Sequence, residues 1–438
     1  MQIEPLERRV MSKVTWRLIP FMCLCYLAAF IDRVNVSFAK LSMLADLSMS
    51  QTIYATGAGI FFVGYFIFEI PSNLILERVG ARIWIARIMI LWGIISSSML
   101  FVKTAWMFYL LRFLLGAAEA GFFPGMILYV TYWFPKAYRS RAISMFMAAA
   151  VFSFVVGGPL SGMLMDHPQF GLRNWQWLFL AEGIPSILLG FVVLAYLPNG
   201  PKQAKWMAPE ELSWLMARLD AERSHQEKKQ HLSLLQALSH PRVLLLSLIY
   251  FLNVVGGYGL DFFGPTILKK AYPTLTTSEL GWLSAIAPLI TIPIMIFHGR
   301  SSDARSEQRW HVAVAAAVFA VGLVMLSLNP SPPMVVVAMT LCVAGRWSVI
   351  GPFWGLPTAF LTGTAAAGGI AMINSVGNLG GQAGPVILSW FADASGYATG
   401  LRVLAGLVTM CGVLTLMIRL RKAEPAAAAQ PEAPGEPS

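Results

Sequence analysis

Asp32 and Arg33 stand side by side near the far end of an apolar stretch, FMCLCYLAAFIDRVNVSF (21–38). Six further charges interrupt apolar runs: Glu69, Arg112, Glu119, Glu182, Asp261 and Arg346. A charge in lipid hydrocarbon costs about 2.5–3.5 kcal/mol on insertion scales, so such residues face a bundle interior or an aqueous cavity and tend to carry function. Arginine there can hold an anion, and a carboxylate there can take up and release a proton. Several of these residues therefore read as the lining of one anion- and proton-handling cavity. Uncharged candidates join them by spacing. Tyr65 and Glu69 share a helix face at i, i+4, as do Asn374 and Asn378, with Gln382 one turn further along.

Other chemistries find no residues to carry them. The six histidines fall in loops or at helix ends without paired metal spacing. The four cysteines (Cys23, Cys25, Cys342, Cys411) lie in apolar runs, with neither a disulfide framework nor metal-ligand spacing. A phosphate-cradling GKS or GKT loop is absent, which disfavours ATP-driven work. So are G-x-S-x-G, HExxH and CxxC, which argues against an enzyme, and no cofactor is expected.

The elements that must position these charges follow from composition. Of 438 residues, 57% are hydrophobic and only 12% charged, with a mean hydropathy of +0.64. A chain this apolar fits an all-α polytopic membrane protein. Runs of about 20 apolar residues, the length that spans a bilayer, recur near 16–38, 53–76, 83–102, 106–134, 142–165 and 175–197. A second set follows near 243–268, 279–299, 310–329, 334–361, 367–391 and 400–420. The expectation is twelve transmembrane helices in two six-helix bundles, 1–197 and 243–422, joined by a linker at 198–242. An even count puts both termini on one side. With that side inside, 23 of the 32 Lys and Arg lie in inner segments, six in outer ones and three within spans. The bias makes both termini cytoplasmic, and it makes the +10 net charge a topology signal rather than a sign of nucleic-acid binding. No removable signal peptide is expected at the charged N-terminus.

Within the linker, APEELSWLMARLDAER (208–223) has a proline-and-acid start and Leu212, Leu215, Met216 and Leu219 at helical spacing. It reads as an amphipathic helix lying across the inner faces of both halves. The Ala/Pro-rich tail at 423–438 reads as disordered. The halves also echo one another. ERVGARIWI (77–85) and GRSSDARSEQRWH (299–311) are matching acid-and-arginine turns, placing Arg78 and Asp303 as gate candidates. GGPLSG (157–162) and GGQAGP (380–385) match as sites of close packing or hinge bending.

IDRVN (31–35), GYFIFEIPSNLILERVGAR (64–82), RFLLGAAEAGFFPG (112–125) and FWGLPTAFLTGTAAAGGIAMINSVGNLGG (353–381) carry a resemblance. The chain resembles the major facilitator superfamily, and within it the anion:cation symporter family of organic-acid permeases, over nearly its whole length. The resemblance implies two pseudo-symmetric six-helix bundles, a site between them, alternating access and proton-coupled uptake of a small organic carboxylate. Its tartrate and aromatic-acid branch looks nearest. It implies protonation at the acids matching Asp32 and Glu119, and a substrate carboxylate at the arginine matching Arg33. Tyr65 and Asn374 match positions near the substrate. A bacterial inner-membrane protein working as a monomer, with protons as the coupling ion, is the expectation. An exchanger or antiporter without proton coupling is the alternative, and a sensor signalling through the central loop is a remoter one.

Depth along the helices refines the set. At 1.5 Å per residue, Asp32 and Arg112 lie roughly 6 and 9 Å below the outer edge and can meet. Glu119 lies roughly 20 Å down, so Arg112 moving between the two acids would couple them to protons. Arg346, at roughly 18 Å, stands where the family usually has a neutral residue. It is either a second anion-binding arginine or the partner of an internal acid. Asp261 sits near the outer rim as a gate candidate, some 15 Å from Arg346, so direct pairing needs the GGYG stretch to unwind. Glu69 reads as a gate toward the cytoplasmic end and Glu182 as structural. Trp354 and Tyr258 read equally as substrate walls or as packing, as does Asn378.

Overall fold

The fold is that of a computed structural model, which describes residues 5–226, 240–358 and 363–418. Among them there are helices and connecting turns, and no strand. Lipid offers backbone groups no hydrogen-bond partner, so long apolar runs must satisfy their own N–H and C=O groups by coiling into helices. Among the described residues, eleven spans are long and apolar enough to cross a membrane.

The first half holds α1 (Pro5–Val34), α2 (Val36–Asp46), α3 (Gln51–Val79), α4 (Ala81–Ser98), α5 (Ala105–Glu119), α6 (Phe122–Trp133), α7 (Lys136–Asp166) and α8 (Asn174–Tyr196). Then comes α9 (Pro209–Gln226). The second half holds α10 (Pro241–Ala271), α11 (Thr277–Arg305), α12 (Arg309–Ser327), α13 (Pro332–Thr358), α14 (Gly363–Asn378), α15 (Gly380–Ser395) and α16 (Tyr397–Met417). Helices α1 and α2 form one span, as do α5 and α6. Helices α14 and α15 adjoin at Leu379, within the run 367–391 expected as the eleventh span.

Each half packs on itself, α4 on α8 and α3 on α5 in the first, α12 on α13 and α16 in the second. The halves meet where α7 lies along α11, α15 along α3, and α2 against α10. The joins lie toward the face opposite the one where α1 begins and α16 ends, here termed the terminal face. There the Asp166 carboxylate accepts from the backbone N–H of Thr277 (3.2 Å) and Ser278 (2.6 Å), and Tyr54 donates to the Phe262 carbonyl at 3.1 Å. The small residues of GGPLSG serve this approach: a Cβ on Gly158 would stand 2.9 Å from the Gly281 carbonyl oxygen.

Closest of all is α3 on α5, where a Cβ on Gly116 would stand 1.9 Å from the Phe61 carbonyl oxygen. A fixed backbone cannot yield as a side-chain tip can. Gly116→Val is therefore expected to exceed the usual overpacking cost of about 1–3 kcal/mol. Folded yield and thermal stability in detergent would both fall, and a melting curve matching the parent would refute the contact.

Helix α9 docks on the terminal face of the first half. Leu215 and Leu219 are buried and Trp206 stacks on Trp133 at 5.6 Å between ring centres. Glu211 pairs with Lys13 at 2.7 Å, Glu210 with Arg9, and Glu222 with Arg139 at 3.2 Å. The spacing anticipated a helix lying across both halves, yet all these ion pairs reach the first. The tail at 423–438 and the linker residues 227–239 lie outside the described residues.

The Lys13 ammonium holds the Glu211 carboxyl below the usual glutamate range. A depressed folded-state value contributes stability above the unfolded value, lost as pH falls through the folded one. Protection factors of α9 amides, which divide out the intrinsic pH dependence of exchange, should therefore fall on acidification below about pH 4.3, the unperturbed glutamate value, and Glu211→Gln should flatten that response.

Candidate functional site

Between the halves lies a cavity with a guanidinium from each side, Arg33 of α1 and Arg346 of α13. Tyr65, Tyr258, Trp354, Asn374 and Asn378 line it as well, so all seven residues anticipated on the substrate side are brought together. Tyr26, Phe30, Tyr250, Asn253 and Trp347 line it too and were not singled out from the sequence. Tyr250, Val254 and Tyr258 recur at i, i+4 and i+8, a pattern that could have disclosed the α10 wall.

Helix junctions lie beside these polar groups. The first span runs on through Asn35, two residues after Arg33, with helical torsions and with Asn35 N–H bonded to the Ile31 carbonyl at 2.9 Å. The fourth breaks straight after Glu119, where Ala120 turns away from helical geometry and Gly121 takes a φ of +86°. The eleventh breaks at Leu379, next to Asn378. Of these, the junction at Ala120 and Gly121 departs from helical torsions and ends the α5 ladder beside Glu119. Tighter bonds, Leu379 N–H to the Val376 carbonyl (3.2 Å) and Gln382 N–H to Leu379 (3.0 Å), wind the eleventh span more closely at Leu379. Gln382 faces α3, as Asn374 does through Glu69, but it packs against Gly59 rather than lining the cavity, and a Cβ on Gly59 would stand 2.8 Å from its Oε1.

Arg33 is held from several sides. It pairs with Glu119 and donates through Nη1 to the Tyr258 hydroxyl at 3.2 Å. Its Cζ stands 5.0 Å from the Phe30 ring centre, 5.3 Å from Phe61 and 5.6 Å from Tyr65. Aromatic faces stabilise a guanidinium where water is scarce.

Asp32, one residue earlier, points about 100° away round the helix. Its carboxylate accepts from Ser186 (2.6 Å), Ser96 (2.9 Å) and Trp92 (3.0 Å), all on α4 and α8. Asp32 and Arg112 do not meet, contrary to the depth estimate, which fixed height but not azimuth. Arg112 is wholly buried, donates to the Ala58 carbonyl at 2.9 Å and lies 5.1 Å from the Phe61 ring centre. Phe61 thus has a guanidinium over it from both Arg33 and Arg112. Glu182 accepts from Ser161 at 2.7 Å, away from the cavity.

Arg346 pairs with Asp261, which the depth count had put out of reach without unwinding. Helix α10 stays unbroken through Gly256–Gly259. The count compared Cα heights on ideal upright helices, whereas a long arginine side chain runs along α10 over Gly257 to reach Asp261 one turn on. There a Cβ would stand 2.2 Å from Arg346 Nε.

Glu69 crosses between halves, accepting from Asn374 at 2.9 Å and from Ser375 at 2.5 Å. Arg78 and Asp303, the remaining gate candidates, are exposed at the terminal-face ends of α3 and α11 and do not join the cavity. Among the described residues no three His, Cys, Asp or Glu side chains are grouped to hold a metal.

The sequence profile of the Major Facilitator Superfamily matches residues 22–381. A provisionally named tartrate transporter of Agrobacterium vitis is 47% identical over 415 residues, covering 94% of this chain and 95% of that protein. A provisionally named metabolite transport protein of Pseudomonas putida, NicT, is 43% identical over 411 residues, covering 93% and 94%. The inward-open structure of the xylose transporter XylE from Escherichia coli superposes with a TM-score of 0.75 at 13% identity, covering 94% of this chain and 98% of that one. With a twin-bundle helical fold and a charged cavity between its halves, the chain belongs to the major facilitator superfamily and is a membrane transporter rather than an enzyme.

Proposed function

We propose that the chain imports a small organic anion, a hydroxy-dicarboxylate such as tartrate, by proton-coupled symport and alternating access. The observation that carries this is the pairing of Arg33 with Glu119 at the cavity wall. A substrate carboxylate competes with Glu119 for Arg33, and a buried carboxylate that loses its counter-charge is stable only with a proton on it. Anion binding and proton binding then favour one another. Asp32, held by three donors off the cavity, serves as a second protonation site, and Arg112 supplies fixed positive charge behind Phe61.

Tyr65, Tyr258, Asn374 and Asn378 offer hydroxyl and amide partners to a polyhydroxy acid, and Trp354 walls it. The identity to tartrate-named relatives supports that class. Joins between the halves toward the face opposite the termini fit a cavity closed from outside, with Glu69 on Asn374 and Ser375 as a latch toward the cytoplasm and Asp261 behind the outer wall. Arg78 and Asp303 guard the cytoplasmic rim. The Lys/Arg bias places both termini in the cytoplasm of a bacterial inner-membrane protein. Both bundles lie in one chain, so the monomer is the working unit, with no cofactor besides the proton.

The test is proton influx into proteoliposomes on adding external tartrate, phthalate, hydroxyphenylacetate or galactonate. Internal acidification with at least one acid is the expected result. Silence with all four, while labelled acid still exchanges, would replace symport with exchange.

A further inference from the structure

The Arg346–Asp261 pair at the cavity wall mirrors Arg33–Glu119 with its charges transposed. In the first half, the arginine is on the first helix (Arg33) and the acid on the fourth span (Glu119). In the second half, the acid is on the first helix (Asp261 of α10) and the arginine on the fourth (Arg346 of α13). In both, the arginine lines the cavity while the acid stands behind it. Asp261 instead lines a separate cavity with Ser37, Gly158 and Ser284, and Trp347 is the wall common to both.

Tyr258 links the two arginines. Its hydroxyl accepts from Arg33 at 3.2 Å, and its ring centre lies 5.0 Å from Arg346 Cζ. Two guanidiniums therefore stand within the span of one tyrosine side chain, each neutralised by an internal carboxylate. One carboxylate of a ligand can displace only one of these acids. From this we infer that Arg346 is the recognition site for the second carboxylate of a short dicarboxylate, and that Asp261 occupies that site between substrates. Gly257 is part of the device, because only a residue without a Cβ leaves room for the Arg346 side chain to lie along α10. The inference rests on the proposal that a carboxylate occupies this cavity.

Trp347 and Trp354 line the cavity and supply a fluorescence readout on purified protein. Tartrate and succinate would be titrated beside the monocarboxylates glycerate and gluconate. Wild type is expected to bind the diacids at least about tenfold tighter, a difference of one good charged contact. Replacing Arg346 alone strands a buried Asp261, so the informative variant is Asp261→Asn with Arg346→Gln, which removes the pair without leaving an orphan charge. It should weaken diacids about tenfold or more and leave monoacids within about threefold. Gly257→Ala, which displaces the guanidinium, should lower the preference in the same sense.

Equal weakening of both classes, or an unchanged preference in the double variant, would overturn the inference. Wild type that binds monoacids as tightly as diacids would also overturn it while leaving organic-anion transport standing. Wild type that binds none of the four acids would remove the proposed function itself.

Discussion

Arg33→Ala is expected to abolish uptake and to weaken binding of the acid by roughly 30-fold to several thousand-fold, since truncating one partner of a buried charged contact costs about 2–5 kcal/mol. Arg33 is 8% exposed and faces the cavity. Stability should fall as well, because the change strands Glu119, which is 2% exposed, and an unpaired buried charge costs about 3–5 kcal/mol. The two effects are separable. Arg33→Gln combined with Glu119→Gln removes the orphan charge, so thermal stability should return toward the parent while binding stays lost. Arg33→Lys keeps the charge but not the planar fork, and should recover binding only in part. Binding restored by the double variant would show that Arg33 merely neutralises Glu119.

The fold was legible because lipid leaves an apolar chain few choices. Runs at 53–76 and 175–197 fall inside α3 and, but for the last residue, α8, since uninterrupted hydropathy of that length has one solution. The breaks were harder to read. Nothing in the hydropathy of 106–134 separates α5 from α6, because Ala120 and Gly121 are as apolar as their neighbours and the interruption is one of backbone torsion. The seven residues that line the cavity together are polar or aromatic, and the resemblance had singled out Arg33, Tyr65 and Asn374 among them. Their pairings could not be read. Asp32 and Arg33 are adjacent in sequence but point to different helices, so height along the membrane normal says nothing of partners round the axis. The Arg346–Asp261 pair failed for a related reason: side-chain reach over a glycine notch is invisible to a count of helical rise. Helix α9 shows the same limit, since an amphipathic stripe announces a docking face without saying that its acids answer Arg9, Lys13 and Arg139 of one half.

Glu119→Gln is expected to separate the movement of the anion from the movement of the proton under the proposed symport. Glu119 closes α5 immediately before the break at Ala120, and it holds Arg33, the arginine that the proposed function gives to the substrate. A glutamine keeps the shape and can still accept from Arg33 through its amide oxygen, but it neither competes as an anion nor carries a proton. Substrate should therefore bind at least as tightly as in the parent, and counterflow exchange should stay within about threefold. Accumulation driven by an inward proton gradient should collapse to the level reached without one. Unchanged gradient-driven accumulation would move the coupling proton elsewhere, first to Asp32. That residue is the weaker candidate on geometry, because Ser186, Ser96 and Trp92 already hold both its oxygens and none of the three faces the cavity. A proton there would have to act through α1, whereas one on Glu119 frees Arg33 directly.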